Sequence, residues 1–119
     1  MSKEFMKIGP ITCSIQADPP YKVIRNGKTD FTLADEKPSL ISDVMCKSLE
    51  SGSVLFEAAS SNFSVRTNAI GGEILNMCNG EKTIEDIAYD LAEKYDYDDD
   101  EFLEQVKTFL NIFRTYKLL

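Results

Sequence analysis

The sequence predicts an α+β protein in which a three-stranded antiparallel meander is followed by three helices, with an N-terminal β-hairpin extension. Two observations carry this prediction. Between residues 62 and 80 the apolar residues change from the two-residue period of a strand to the spacing of a helix. Two later segments, residues 83–95 and 98–116, keep an apolar stripe at helical spacing. Strands that precede a run of helices are typical of the α+β class.

The N-terminal part is expected to add β structure, so that residues 1–42 form an extension with a linker and residues 43–119 form the domain itself. Residues 11–17 predict a short strand that ends at the prolines after it, because proline cannot donate in a sheet interior. Residues 21–33 predict a β-hairpin around an Asn-Gly pair. Loops of two and of three residues both fit, and the three-residue loop gives the cleaner apolar face.

Three strand-like runs form the predicted meander, over residues 43–49, 54–58 and 63–67. The third run alternates as a half-buried strand does, with one set of side chains toward the core and the other away from it. The inward set is Phe63, Val65 and Thr67, and the outward set is Asn62, Ser64 and Arg66.

Each predicted helix begins at a recognisable capping residue. Asn68 precedes the first helix, which is expected over residues 69–79. Thr83 and Asp86 have the spacing of a capping box for the second helix. Asp98 begins the third, where acidic side chains suit the positive end of the helix dipole. The third helix has an apolar surface wider than one stripe, which predicts burial on two sides.

The net charge of -7 is concentrated in the second half of the chain. Residues 1–67 carry eight acidic and eight basic side chains, whereas residues 68–119 carry twelve acidic and five basic ones. Nucleic acids and anionic membranes bind clustered lysine and arginine, so this balance argues against both and favours a basic or neutral partner.

The cysteines and the apolar runs indicate the compartment. The three cysteines are odd in number and lack Cys-x-x-Cys spacing, which predicts reduced thiols, and Cys78 is expected to be a small buried hydrophobe. The sequence contains no apolar run long enough for a membrane span or a signal peptide. We therefore expect a cytoplasmic protein.

The residue types argue against catalysis, a cofactor and a metal. The chain has no histidine, the commonest general base and transition-metal ligand. The acidic run at residues 96–101 fails the calcium-loop pattern, which needs glycine at Glu101 and glutamate at Lys107. Gly71-Gly72 lacks the lysine of a phosphate loop, so close packing of a neighbouring element is the better explanation. We expect a non-enzymatic protein.

The segment from Val65 to Ala88, with the helix that ends the chain, resembles the PqqD family. The shared features are Asn68 at the change from strand to helix, Glu73-Ile74-Leu75, Asn79-Gly80, Thr83-Ile84-Glu85-Asp86-Ile87 and the closing Leu118-Leu119. The resemblance covers about residues 43–119 and does not extend to the first 40 residues.

The resemblance implies a peptide-binding module of a biosynthetic pathway for ribosomally made, modified peptides. Such a module holds the leader of a precursor peptide, as an added strand at the meander edge, and delivers it to a modifying enzyme, often a radical-SAM protein. By this resemblance the strand is residues 62–67, and the groove wall comes from the third helix. The implied site residues are Asn62, Phe63, Ser64, Val65, Arg66, Thr67, Phe102, Gln105, Val106, Phe109 and Ile112.

Several alternatives stay open at this stage. Each apolar residue of the third helix fits the core as well as the groove, and Arg66 fits a solvated position better than a pair with a leader carboxylate. If the hairpin of residues 21–33 pairs with the strand of residues 62–67, the site is occupied from within, and an exchange of hairpins would give a homodimer.

The element order also matches a winged-helix DNA-binding or adaptor protein, although the third helix is acidic. A further alternative is an enzyme accessory subunit that binds no peptide.

Overall fold

A computed structural model describes residues 3–17, 35–59 and 62–119 of the chain. The hairpin predicted at residues 21–33 lies outside the described residues. The strands are β1 (Lys3–Ile8), β2 (Ile11–Ala17), β3 (Val44–Ser48), β4 (Val54–Ala58) and β5 (Phe63–Thr67). The helices are α1 (Ala69–Asn76), α2 (Ile84–Tyr95) and α3 (Asp99–Thr115). The predicted α+β class is confirmed.

The five described strands form one antiparallel sheet in the order β1-β2-β5-β4-β3. Strands β3, β4 and β5 are the predicted meander. Strand β2 has the predicted bounds, and it pairs with β5, a strand far from it in sequence. The first two strands form an N-terminal hairpin that turns at Gly9 and Pro10, where Gly9 has a φ of 59°.

Strand β1 was not predicted from the sequence, because its apolar and polar side chains alternate in the opposite sense to those of a half-buried strand. Phe5, its largest apolar residue, points away from the helices and is 70% exposed. Glu4, a charged residue, lies on the side of the helices together with Met6. An alternation in which the aromatic residue faces solvent does not resemble a half-buried strand.

The hydrophobic core lies between one face of the sheet and the three helices. Strand β2 contributes four buried side chains to it, Ile11, Cys13, Ile15 and Ala17. The inward side chains of β4 and β5, the buried residues of α1, α2 and α3, and Cys78 and Leu118 complete the core. No helix of the described residues lies on the opposite face of the sheet, which we call the outer sheet face.

All three predicted caps are confirmed. The Asn68 side chain accepts a hydrogen bond from the Gly71 amide at 3.2 Å. Thr83 and Asp86 form both bonds of a capping box at the start of α2, and Asp98 accepts a bond from the Glu101 amide at 2.9 Å. Each cap satisfies amides that have no partner within the helix.

The end predicted for the first helix, at residue 79, is wrong. Helix α1 ends at Asn76, because the following backbone bonds to the segment before β3 instead of continuing the helix. The Gly80 amide donates to the Pro38 carbonyl at 2.9 Å, and the Leu40 amide donates to the Cys78 carbonyl at 3.1 Å. Gly80 has a φ of 84°, as its glycine predicts.

The Gly71-Gly72 pair allows α1 to lie directly on the sheet. A methyl group on Gly71 would collide with the Thr67 side chain, and one on Gly72 would meet the side chain of Val54. Close packing of a neighbouring element, as predicted from the sequence, is therefore the reason for these glycines.

Candidate peptide-binding groove

Strand β5, predicted to receive a peptide, has a strand on each side. Strand β4 pairs along one edge and β2 along the other, with Ile15 opposite Val65 and Cys13 opposite Thr67. At the end of the pairing the Asn68 amide donates to the Thr12 carbonyl at 3.0 Å. The edge of β5 that does not pair with β4 is therefore paired with β2 in this structure.

The turn before β2 is held in place by side chains at the junction of β5 and α1. The Asn68 side-chain amide donates to the Pro10 carbonyl at 2.8 Å. The Thr67 hydroxyl donates to the Thr12 carbonyl at 3.1 Å. Asn68 therefore caps α1 with its oxygen and holds the hairpin turn with its nitrogen.

The groove between β5 and α3 is filled by the inward side chains of β2. Ile11, Cys13, Ile15 and Ala17 are each at most 2% exposed. Burial, and to a smaller extent the nearby carboxylate of Glu4, raises the pKa of the Cys13 thiol to about 11. These four residues lie beside β5 where the sequence resemblance predicted a peptide, and this position was not predicted for them. The alternation of Ile11–Ala17 was the signal that could have indicated it.

The four apolar residues predicted for the groove wall lie in the core. Phe102, Val106, Phe109 and Ile112 are each at most 1% exposed. Gln105 differs from them, because it is half-buried and its side chain lies against Gly9 at the turn between β1 and β2. The structure therefore brings the α3 residues and β5 together, with the N-terminal hairpin against both.

Two aromatic residues at the end of α3 belong to the same cluster and were not predicted as site residues. Phe63 of β5 packs edge-on against Phe113, with ring centroids 5.4 Å apart. It also packs against Tyr116 at 4.8 Å. Phe113 in turn contacts Phe109 at 5.5 Å. This cluster closes one end of the groove.

The outward residues of the predicted site do not face the groove. Asn62 and Ser64 line a hollow of about 440 Å³ at the outer sheet face. Arg66 is exposed and lines a second hollow of about 230 Å³ on the same face. The predicted residues of β5 thus divide between two surfaces. Phe63, Val65 and Thr67 point to the buried side of the sheet, where Phe63 contacts Phe113 of α3 and Thr67 lies against Gly71 of α1.

The cysteine and carboxylate side chains of the described residues form no metal site. Within residues 3–17, 35–59 and 62–119, no group of three or more cysteine, aspartate or glutamate side chains could hold a metal ion. All three cysteines are unpaired thiols, and burial raises the pKa of Cys78 to about 12. In the same ranges no helix is both long and apolar enough to cross a membrane.

The geometry defines a small sheet, backed by helices, whose β5 edge accepts an antiparallel strand. The family model described as "Coenzyme PQQ synthesis protein D (PqqD)" matches residues 52–119, more than half of the chain. The chain belongs to the PqqD family, as the sequence resemblance predicted. Searches of curated proteins and of solved structures found no match.

The family match supports an accessory role in the biosynthesis of PQQ or of related modified peptides. The first residue of the family match, residue 52, also divides the sheet into two parts. Strands β4 and β5 and all three helices lie within the matched residues, whereas β1, β2 and β3 precede them. The strand that fills the β5 edge therefore comes from outside the family-matched part.

Proposed function

We propose that this protein captures the leader of a ribosomally made precursor peptide and presents it to a modifying enzyme, such as a radical-SAM protein, without performing chemistry itself. Besides the family membership, one structural observation supports this proposal. An added strand, β2, lies antiparallel on β5 and directs alternate side chains into the groove against α3. A peptide bound by strand addition would use the same backbone bonds and the same groove.

The binding mode follows from the position of β2. A leader in its place would pair with residues 62–67 and direct every second side chain toward Phe102, Val106, Phe109 and Ile112. The present occupants are small at Cys13 and Ala17 and large at Ile15. We therefore propose a leader with an apolar side chain at the centre of the paired segment and smaller side chains two residues away on each side.

This proposal keeps the division of the chain into residues 1–42 and residues 43–119. The second part would be the recognition domain, since it contains the family match. The first part would occupy the groove until a leader replaces it. Each isoleucine that leaves a buried site costs about 1.5–3 kcal/mol, so the leader must bury a comparable apolar area.

The test is a calorimetric titration with the leader of whichever short precursor peptide is encoded beside this protein. The decisive variant combines Thr67→Cys with Cys46→Ser, so that a disulfide to Cys13 locks β2 onto β5 after refolding with oxidised glutathione. The matched control adds Cys13→Ser, which keeps the Thr67→Cys substitution and prevents the bond. We expect the oxidised lock to lose leader binding and the reduced lock to regain it.

Two results would count against the proposal. Equal leader affinity in the oxidised and reduced lock would show that the leader does not use the β5 edge. Absence of binding in every form, up to high micromolar peptide, would exclude capture of that peptide.

The filled edge favours one alternative function. A protein whose β5 edge stays paired with β2 would be an accessory subunit that contacts its enzyme without binding peptide. Pulldown of the enzyme by the oxidised lock, with peptide absent and no leader affinity in any form, would support that alternative.

A further inference from the structure

We propose that the outer sheet face is a second docking surface, and that it binds an acidic segment of a partner protein with apolar side chains among its carboxylates. The groove proposed for the leader lies on the opposite side of the sheet. Because β1 is joined to the sheet through β2, a leader that displaces β2 would also remove β1 from this face, so the complete surface belongs to the leader-free protein. The test below is made without leader, so its outcome is independent of the leader titration.

The outer sheet face carries exposed apolar side chains that a soluble partner could cover. Phe5 and Met45 are each 70% exposed, and they lie on β1 and β3, at opposite edges of the sheet. Leu55, between them on β4, is half-buried. Phe5 and Met45 are four strand spacings apart, roughly 19 Å, so they mark the two ends of this face and do not form one contiguous apolar patch.

The charge of this face is opposite to that of the molecule as a whole. Its cations are Lys3, Lys7, Lys47 and Arg66, all exposed, and Glu57 is the one carboxylate on this face of the described strands. The three helices, in contrast, carry nine acidic and three basic side chains. The protein therefore has a basic face although its net charge is -7.

The two sets of cations also differ in their partners. Each cation on the helices has an ion pair, Lys94 with Glu73, Lys107 with Glu104 and Arg114 with Glu36. None of the four cations of the outer sheet face pairs with a described acidic residue. Their charge is therefore available to a partner, and an acidic segment would supply the carboxylates.

The register places cations and apolar residues in one row. Across the strands, Phe5 lies opposite Ser14, Ser14 opposite Arg66, Arg66 opposite Leu55, and Leu55 opposite Lys47. Neighbouring strands are about 4.8 Å apart, so Arg66 and Lys47 are separated by roughly 10 Å. Phe5 and Arg66 also line the hollow of about 230 Å³, where an apolar side chain can enter beside a cation.

Charge complementarity distinguishes this occupant from the alternatives. Residues 18–34 of the chain itself carry three basic and two acidic side chains, so they do not complement a basic face. A nucleic acid would be repelled by the acidic remainder of the molecule. A second copy carries the same net charge of -7, whereas a short acidic segment brings carboxylates without a large repelling body.

The test uses a fluorescein-labelled peptide with the sequence of residues 96–104, Asp-Tyr-Asp-Asp-Asp-Glu-Phe-Leu-Glu, which places carboxylates around apolar side chains. Its binding to the full chain is measured by fluorescence anisotropy. We expect saturable binding that weakens about fivefold or more in the double variant Lys47→Gln/Arg66→Gln. The matched control, Lys37→Gln/Lys117→Gln, removes two exposed cations elsewhere and should change the affinity less than about twofold.

A second pair of measurements tests the apolar part and the occupant. Phe5→Ser/Met45→Ser should also weaken binding, with an unchanged circular dichroism spectrum. Equal losses in the two charge variants, or no binding up to millimolar peptide, would overturn the proposal. Sedimentation of the full chain alone should show a monomer. A dimer that is lost in Lys47→Gln/Arg66→Gln would overturn it too, because the occupant would then be a second copy.

Discussion

Cys13 of β2 lies directly opposite Thr67 of β5, at one end of the paired segment that joins the N-terminal hairpin to the family-matched part of the sheet. The next pair along, Thr12 and Asn68, shares a backbone hydrogen bond at 3.0 Å. Hydrogen-bonded and non-hydrogen-bonded pairs alternate in an antiparallel ladder, so Cys13 and Thr67 form a close pair, with Cα atoms about 4.5 Å apart. That distance falls within the range of disulfide bonds.

Thr67→Cys should therefore form a disulfide with Cys13 when the protein is refolded under oxidising conditions. The bond closes a loop of about 55 residues, and chain entropy predicts about 4 kcal/mol of added stability. Urea unfolding of the oxidised and reduced forms measures the difference. The Cys13→Ser control should show no effect of oxidant, and failure of the disulfide to form would mean that β2 does not lie opposite β5 in solution.

Thiol labelling should report whether a leader displaces β2. Burial raises the pKa of all three thiols, but Cys46 is exposed whereas Cys13 and Cys78 are buried. Iodoacetamide at alkaline pH should therefore modify Cys46 alone. With saturating leader, Cys13 should become reactive as β2 leaves the groove. Cys78, a buried thiol just after the C-terminal end of α1, is the internal control. Mass spectrometry identifies the labelled sites, and protection of Cys13 at saturating leader would contradict the exchange.

Ile15→Ala should lower stability and raise leader affinity at the same time. The substitution empties a buried site, which costs about 2–5 kcal/mol, and it weakens the strand that the leader must replace. Leader affinity should rise about tenfold for each 1.4 kcal/mol removed from the docking of β2. Urea unfolding and calorimetry measure the two effects.

The matched control for that prediction is Ile87→Ala. Ile87 is equally buried, but it lies on α2, away from the hairpin. This variant should lose similar stability without a gain in affinity. A similar gain in leader affinity in both variants would mean that general destabilisation of the fold, and not weaker docking of β2, raises the affinity.

Asn68 caps α1 and also holds the hairpin turn, and two substitutions should separate the contributions of these bonds to stability. Asn68→Ala removes the cap of α1 and the bond to the Pro10 carbonyl, for a loss of about 2 kcal/mol. Asn68→Asp keeps the capping oxygen and removes only the donor, so its loss should be about half as large. Hydrogen exchange should show faster exchange of the β2 amides in both variants. Equal stability losses would indicate that the capping oxygen contributes nothing, and an unchanged stability in Asn68→Asp would indicate that the donor contributes nothing.

The stability should depend on pH through Glu73. A hydrogen bond from Lys94 is the main cause that lowers the pKa of Glu73, and Tyr95 adds a second bond. The contribution is therefore fully present above the ordinary glutamate pKa of about 4.3 and is lost as the pH falls through the lower pKa of the folded state. The effect is small, because Lys94 is exposed and salt screens the pair.

The measurement compares Glu73→Gln with the parent chain in urea at several pH values. The difference in the free energy of unfolding should be largest near neutral pH and should shrink in acid. Glu93→Gln, an exposed position on α2, is the control. A difference that grows in acid would contradict this assignment.

Local patterns determined most of the elements from the sequence alone. Caps at Asn68, Thr83 and Asp98, and the alternation around β5, depend on residues a few positions apart, and local hydrogen bonds fix them. The end of α1 was predicted three residues too late, because its continuation competes with bonds to a distant segment before β3.

Only the tertiary structure decided what lies beside β5 and which surface is open. Ile11–Ala17 and Phe63–Thr67 are both recognisable strands, but their pairing joins residues about fifty positions apart, and no local signal specifies it. The basic outer sheet face is hidden in the sequence for a similar reason. Its four cations come from three strands of different regions, and an average over the chain records only the acidic excess of the helices.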